Sequence, residues 1–243
     1  MTDQTTRRSD FFIFGSGSEV IRALVAEERD WFTAHVRRFV LVQRSAEIDP
    51  VWRSFDVVVE QADAADPKAF RASLDRIVST HCTGEAPVDV FPTYGTFNVH
   101  GDMKRLRFAF TDTGFQINLN SRLQVIDAFA RMASRTRFHL FGSLLGSFPY
   151  IGDYAASMWY INQLPGHPEY ADLDLRVYNL GGMKTRFWDH AAGPANNPFV
   201  HADIPTRWLR DRIASSERGV FDCYPTLTSR VAIALARRGL RLL

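Results

Sequence analysis

Short apolar-rich runs punctuate the chain, separated by longer stretches in which apolar residues recur every three or four positions. The runs fall at 11–14 (Phe-Phe-Ile-Phe), 39–42, 55–59, 87–91, 137–141 and 173–178, and each predicts a strand. After the first run, Val20, Ile21, Leu24 and Val25 are spaced to share one helix face. Helices are also predicted over about 67–81 and 151–164. A long one covers 113–134, with Phe115, Leu119, Leu123, Ile126 and Phe129 on one side. The tail from about 204 reads as helical, with a break near 219–225 and a final helix over about 226–243.

Strands alternating with helices imply repeated β-α-β units and a parallel sheet. Runs of consecutive rather than alternating apolar residues fit strands buried on both faces. Right-handed crossovers then give a three-layer α/β domain with one doubly wound parallel sheet, Rossmann-like, spanning residues 1–243. No internal repeat, low-complexity tract or long linker interrupts it.

Composition narrows the class without naming a function. Apolar residues make up 46% of the chain and charged residues 23%, which excludes a disordered chain. Cys82 and Cys223 are the only cysteines, which excludes a disulfide-stapled module and fits two buried thiols. Twenty-nine Lys and Arg against 27 Asp and Glu leave a net charge of +2, too small to argue for nucleic acid. The start of the chain is polar, with no secretory pattern, and no segment approaches the ~18 apolar residues of a membrane span. The expected compartment is therefore the cytoplasm. His167, His190 and His201 lack metal-ligand spacing, so no metal site is expected.

In an open parallel sheet, ligands bind beyond the carboxyl ends of the strands. The residues to read are therefore Gly15–Ser18, Gln43-Arg44, Asp63, Pro92–Gly95, Gly142-Ser143 and Asn179–Thr185. Gly15, Ser16, Gly17 and Ser18 join a strand to a helix start, where free N–H groups and the helix dipole can hold phosphate. In order along the chain, these residues resemble the short-chain dehydrogenase/reductase family over about 10–240. Gly142-Ser143 followed by Tyr154-Ala-Ala-Ser157-Met158 is similar to that family's strand-ending serine and its Tyr-x-x-x-Lys helix. Asn118 sits where the family has its asparagine, and Asp63 where an aspartate lies near the adenine. Gly95 falls at the family's Asn-Ala-Gly turn, and Asn179–Thr185 at its Pro-Gly-x-x-x-Thr stretch.

The resemblance implies a hydride-transfer enzyme that uses NADP or NAD on a small-molecule substrate. Tyr154 would be the proton donor, Ser143 would orient the carbonyl and Asn118 would anchor a proton relay. Gly15, Ser16, Gly17, Ser18, Arg44, Asp63, Gly95 and Thr185 would line the cofactor. Arg44 fits either a ribose 2′-phosphate, favouring NADP, or a surface arginine. The departures concern the chemistry. The family's lysine is Met158, which carries no charge and no donor, so Tyr154 loses the cation that would favour its phenolate. Two of the three family glycines are Glu19 and Ile21. Lys184 is either a substitute cation or a surface lysine.

Those departures leave two alternatives: a non-redox isomerase, cyclase or lyase in the same crevice, or a non-catalytic subunit paired with an active relative. Residues 94–112 read as an insertion edging the site, and 186–203 as a substrate-binding flap. The final helix carries Arg230, Arg237, Arg238 and Arg241 beside Val231, Ile233, Leu235 and Leu240. It is expected to dock or to form a homo-oligomer, a dimer or tetramer as the family resemblance implies.

Overall fold

The computed structural model describes residues 8–96, 110–183, 200–201 and 203–238. Strand β1 (Ser9–Phe14) turns into helices α1 (Glu19–Glu27) and α2 (Arg29–His35), then β2 (Val36–Gln43). Next come β3 (Val57–Gln61), α3 (Pro67–His81) and β4 (Val88–Pro92). Helix α4 (Asp112–Phe115), a π turn (Gln116–Asn120) and α5 (Ser121–Ala130) run into one another, followed by β5 (Thr136–Ser143). After α6 (Asp153–Gln163) and β6 (Asp174–Leu180), a minor two-stranded sheet pairs β7 (Gly182–Met183) with β8 (Val200–His201). Helix α7 (Thr206–Ala214), β9 (Gly219–Cys223) and α8 (Leu227–Arg237) complete the described chain.

The main sheet has seven strands in the order β3-β2-β1-β4-β5-β6-β9, every pair parallel. This is the doubly wound arrangement the apolar runs predict. The helix over 67–81 also falls where expected. Asp66 caps it by accepting from the Lys68 and Ala69 amides, and Pro67 occupies its first position.

Three details differ from the sequence reading. The break at 219–225 is the edge strand β9, whose one free edge leaves it partly exposed and weakly apolar. Helix α2 was not anticipated. The long helix ends at Ala130 and contains a π turn, rather than running unbroken to 134.

Alternate residues of each strand serve opposite core layers. Phe12 and Phe14 of β1 pack with Phe70 and Leu74 of α3 and Ile126 and Phe129 of α5. Phe11 and Ile13 pack with Leu24 and Val25 of α1 and Leu209 and Ile213 of α7. Ion pairs stitch the amino ends of the strands. Asp10 on β1 accepts from Arg37 (2.6 Å) and Arg38 (3.1 Å), and Asp174 holds Arg176 at 2.8 Å.

A buried polar chain crosses three central strands on the α1/α7 side. Asp89 of β4 accepts from Arg137 (2.6 Å) and pairs with His139 Nε2 (2.7 Å). His139 Nδ1 meets the Tyr178 hydroxyl at 2.7 Å, while its ring stacks on Phe91. Arg137 lies directly opposite Asp89, whereas the Asp89–His139 and His139–Tyr178 steps are diagonal, since the register sets His139 opposite Arg176. Burial disfavours the Asp89 carboxylate, but the His139 hydrogen bond and the Arg137 charge outweigh it and hold its pKa below the usual range. Burial pushes His139 the other way, towards its neutral form, against the pull of Asp89.

Both shifts make the folded state bind fewer protons than the unfolded one in acid, so stability falls as pH drops. The His139 contribution is lost first, below its unfolded value of ~6.5, and the Asp89 contribution below ~3.9. Denaturant titrations of wild type should therefore show declining stability from about pH 6.5 downward, a limb that flattens in His139→Gln. Asp89→Ala, which strands His139 and Arg137, should cost about 3–5 kcal/mol at pH 7.

Candidate functional site

At the carboxyl ends of β1, β4, β5 and β6 the strands open into a crevice of about 1160 Å³. That exceeds the ~300–1,000 Å³ of common ligand pockets and leaves room for an elongated ligand beside a small one. Its depth is set by the turn after β1. Gly15 has φ +83°, and a Cβ there would lie 2.7 Å from the Tyr94 Cβ, so only glycine lets the two turns meet. The Thr93 hydroxyl spans the same junction, donating to the Phe14 and Gly15 carbonyls at 3.0 and 2.9 Å.

Beyond Gly15 the turn faces the crevice. The Ser18 amide closes it onto the Gly15 carbonyl at 3.0 Å, and the buried Ser16 hydroxyl donates to Gln43. The Ser16 and Gly17 amides have no partner among the described residues, and the space around Gly17 is open. Those donors, at the start of α1, suit a phosphate. Glu19 also lines the crevice at this helix start, whereas Ile21 is fully buried in the core layer beneath. Arg44 and Arg53 stand exposed along the crevice near the end of β2, and Arg44 has no ion-pair partner among the described residues. Asp63, also on the crevice, accepts from the Ala65 amide at 3.0 Å.

At the other end of the crevice, Ser143 ends β5 and Tyr154 lies in the first turn of α6. Both side chains line the crevice, and Ser143 is close enough to act on the Tyr154 phenol. Gly142 makes room for Asn179 of β6, whose side-chain oxygen occupies the place of a Cβ. Buried Asp153 fixes the head of α6 by accepting from the Thr111 amide (3.0 Å) and hydroxyl (2.7 Å). Burial raises the Tyr154 pKa, and the Arg122 charge and the Ser143 hydrogen bond only partly offset it. Tyr154 is thus a neutral phenol through the physiological range, able to donate a proton.

Asn118 is buried behind the crevice wall, on the π turn. Its side chain donates to the Thr96 carbonyl and accepts from the Thr96 amide, both at 2.8 Å. It therefore clamps the segment after β4, and Ile117 beside it reaches the crevice instead. Gly95 lines the crevice as expected. Thr185 and Lys184 lie outside the described residues, as do 97–109 of the insertion and most of the 186–203 flap. His201 is buried against the Cys223 carbonyl, and no group of three metal-ligating side chains converges among the described residues.

Two crevice arginines escaped the sequence reading: Arg53 and Arg122. Arg122 projects from α5 and is 3% exposed. It donates to the Phe141 carbonyl at 2.6 Å and the Tyr94 carbonyl at 2.7 Å, and its Nη1 lies 4.0 Å from the Met158 sulfur. Its Nε has no partner, and it has no carboxylate partner among the described residues. Desolvation lowers its pKa, while Tyr154 and Tyr94 raise it, and an arginine keeps its charge regardless. The signal was present: position 122 falls three residues after Leu119 and four before Ile126, on the helix's apolar stripe, where a charge must be buried.

No protein-family model and no curated protein sequence matches this chain. Solved structures do. A short-chain dehydrogenase from Streptomyces avermitilis superposes with a TM-score of 0.68 at 13% identity, covering 96% of this chain and 92% of its own. A short-chain dehydrogenase from Sphingobium yanoikuyae in complex with NADPH gives 0.66 at 16% identity, over 95% and 94%. NADPH-bound carbonyl reductase from chicken fatty liver gives 0.62 at 12% identity, over 89% and 96%. The order of the seven strands, the crevice at their carboxyl ends and these superpositions together give the chain the fold of the short-chain dehydrogenases and reductases.

Proposed function

We propose that the protein is an NADPH-dependent reductase of a carbonyl group on a small molecule. The observation that carries this reading is that Ser143 and Tyr154 open together on the same crevice as the Gly15–Ser18 turn. The turn fits a dinucleotide, because two amides and the open face of Gly17 are available to its pyrophosphate. Arg44 and Arg53 lie where cations would meet a ribose 2′-phosphate, which favours NADPH over NADH. Asp63, Gly95 and Thr185 would complete the cofactor's surroundings.

When bound, the cofactor supplies a hydride to the substrate carbon. Ser143 holds the carbonyl oxygen by a hydrogen bond, and Tyr154 transfers its phenolic proton to that oxygen as the C=O becomes C–OH. Asn118 keeps the Thr96 segment in place behind the site. A phenol with a raised pKa suits donation better than abstraction, so reduction is the favoured direction at neutral pH. Glu19 supports a second reading, a non-redox isomerase, cyclase or lyase, because its carboxylate borders the turn a pyrophosphate would approach. The exposed Leu227 and Val231 of α8 and Val220 of β9 support assembly as a homo-oligomer.

Thermal melts with NADPH and then NADH separate the two readings. NADPH at 100 times Kd should add about 2.7 kcal/mol of stability, whereas the absence of any shift at millimolar dinucleotide sinks the reductase reading. Charge-assisted hydrogen bonds contribute about 1.5–3 kcal/mol, so Arg44→Ala should weaken NADPH about 10–100-fold and leave NADH unchanged. With a turned-over carbonyl substrate, Tyr154→Phe should lower kcat by about 10²–10⁴-fold with unaltered NADPH affinity. Equal turnover of the two proteins would remove Tyr154 from the chemistry.

A further inference from the structure

Resting on the reductase reading, we infer that Arg122 supplies from α5 the positive charge that a Tyr-x-x-x-Lys pattern would place at Met158 on α6. Its guanidinium packs against the Met158 sulfur and acts electrostatically on Tyr154. Of the two fully buried arginines among the described residues, Arg176 is neutralised by Asp174. Arg122 instead rests on two backbone carbonyls, which satisfy N–H groups without cancelling charge. Burying a guanidinium without a counter-ion is costly. A group that develops negative charge beside it recovers part of that cost, and the one at hand is Tyr154.

As the Tyr154 O–H bond breaks and the proton passes to the substrate oxygen, the electron pair stays on the phenolate. The Arg122 charge stabilises that phenolate, and so acts through Tyr154 as a positioning residue. The charge seen to act on Tyr154 from the described residues is that of Arg122. Ser143 on β5 offers a neutral hydroxyl, Met158 is uncharged, Tyr94 at the end of β4 is a neutral phenol, and Asp153 is turned onto Thr111. Arg122 also cannot be silenced by alkali as a lysine can, so its help extends across the working pH range.

The test reads Tyr154 directly and needs no substrate. The protein is labelled with 3-fluorotyrosine, whose phenol is more acidic than tyrosine's. The Tyr154 signal is assigned by its loss in Tyr154→Phe and titrated by fluorine NMR. Arg122→Gln keeps two N–H donors for the carbonyls but removes the charge, and should move the Tyr154 titration upward by about one to three pH units. Arg122→Lys keeps the charge and should titrate near wild type. Adding Met158→Lys to Arg122→Gln should bring the titration back down. If Arg122→Gln titrates like wild type, or if Arg122→Lys moves as far as Arg122→Gln, the inference is overturned and Arg122 only supports the backbone. A shifted titration in a protein that never responds to NADPH would keep the electrostatic assignment and fail the reductase reading alone. In an active enzyme the same variants should divide by kcat rather than KM, low for Arg122→Gln and restored by Met158→Lys.

Discussion

A parallel strand covered on both faces has only its two ends for polar chemistry, and this constraint organises the whole molecule. Both faces of β1 are filled by rings and branched chains, so charge is excluded from the middle of the sheet unless it is fully paired. Where polar groups do enter, as in Asp89, His139 and Tyr178, each polar atom finds a partner on the next strand. The amino ends are closed off by complete ion pairs, Asp10 with Arg37 and Arg38, and Asp174 with Arg176. The carboxyl ends face the crevice with the amides of Ser16 and Gly17, which have no partner among the described residues, the hydroxyls of Ser143 and Tyr154, and the buried guanidinium of Arg122. One end of the sheet spends its charges on stability and the other keeps them available.

Arg122 gains its meaning from that contrast. Moving a cation from one helix to its neighbour is possible because an electric field depends on distance, not on which helix carries the charge. A lysine at position 158 would start on the helix that carries Tyr154, and Arg122 reaches the same neighbourhood from α5 across the Met158 side chain. Methionine suits the exchange, since its flexible thioether fills the volume without competing for donors. The carbonyls of Tyr94 and Phe141 then fix the guanidinium plane, so its position is set by β4 and β5 rather than by its own rotamers. An arginine alone on the stripe would be a liability, but one tied to two strand ends becomes part of the crevice wall.

The sheet was legible in the sequence because both-sided burial writes short apolar-rich runs, and six of the seven strands of the main sheet announced themselves so. The seventh, β9, is an edge strand with partial burial, and Gly219-Val-Phe-Asp-Cys223 is too short and mixed to stand out. The site was legible where chain order alone positions a residue: Ser143 follows a strand and Tyr154 opens a helix. It was illegible where the outcome depends on which way a side chain turns. Asn118 could have faced the crevice or the Thr96 backbone, and on the π turn it bonds the backbone. Arg122 was hidden for another reason. Attention to the residue four places after Tyr154 directs the search for a cation to α6 alone, whereas the charge breaking the apolar stripe of α5 was visible throughout.

The two lost glycines look equivalent in the sequence, yet in space they are not. Ile21 points into the layer with Leu24, Val25 and Phe11, so its bulk is absorbed by packing between α1 and the sheet and never reaches the crevice. Glu19 sits at the helix start and borders the crevice itself. Its carboxylate complements the same helix dipole that would attract a phosphate, so anion and side chain compete for one source of positive potential. What favours a phosphate is that the Ser16 and Gly17 amides, which have no partner among the described residues, and the exposed Arg44 add donors and charge to the dipole. The degenerate turn therefore weakens one contribution to anion binding while leaving two in place, and the position that matters for that balance is 19, not 21.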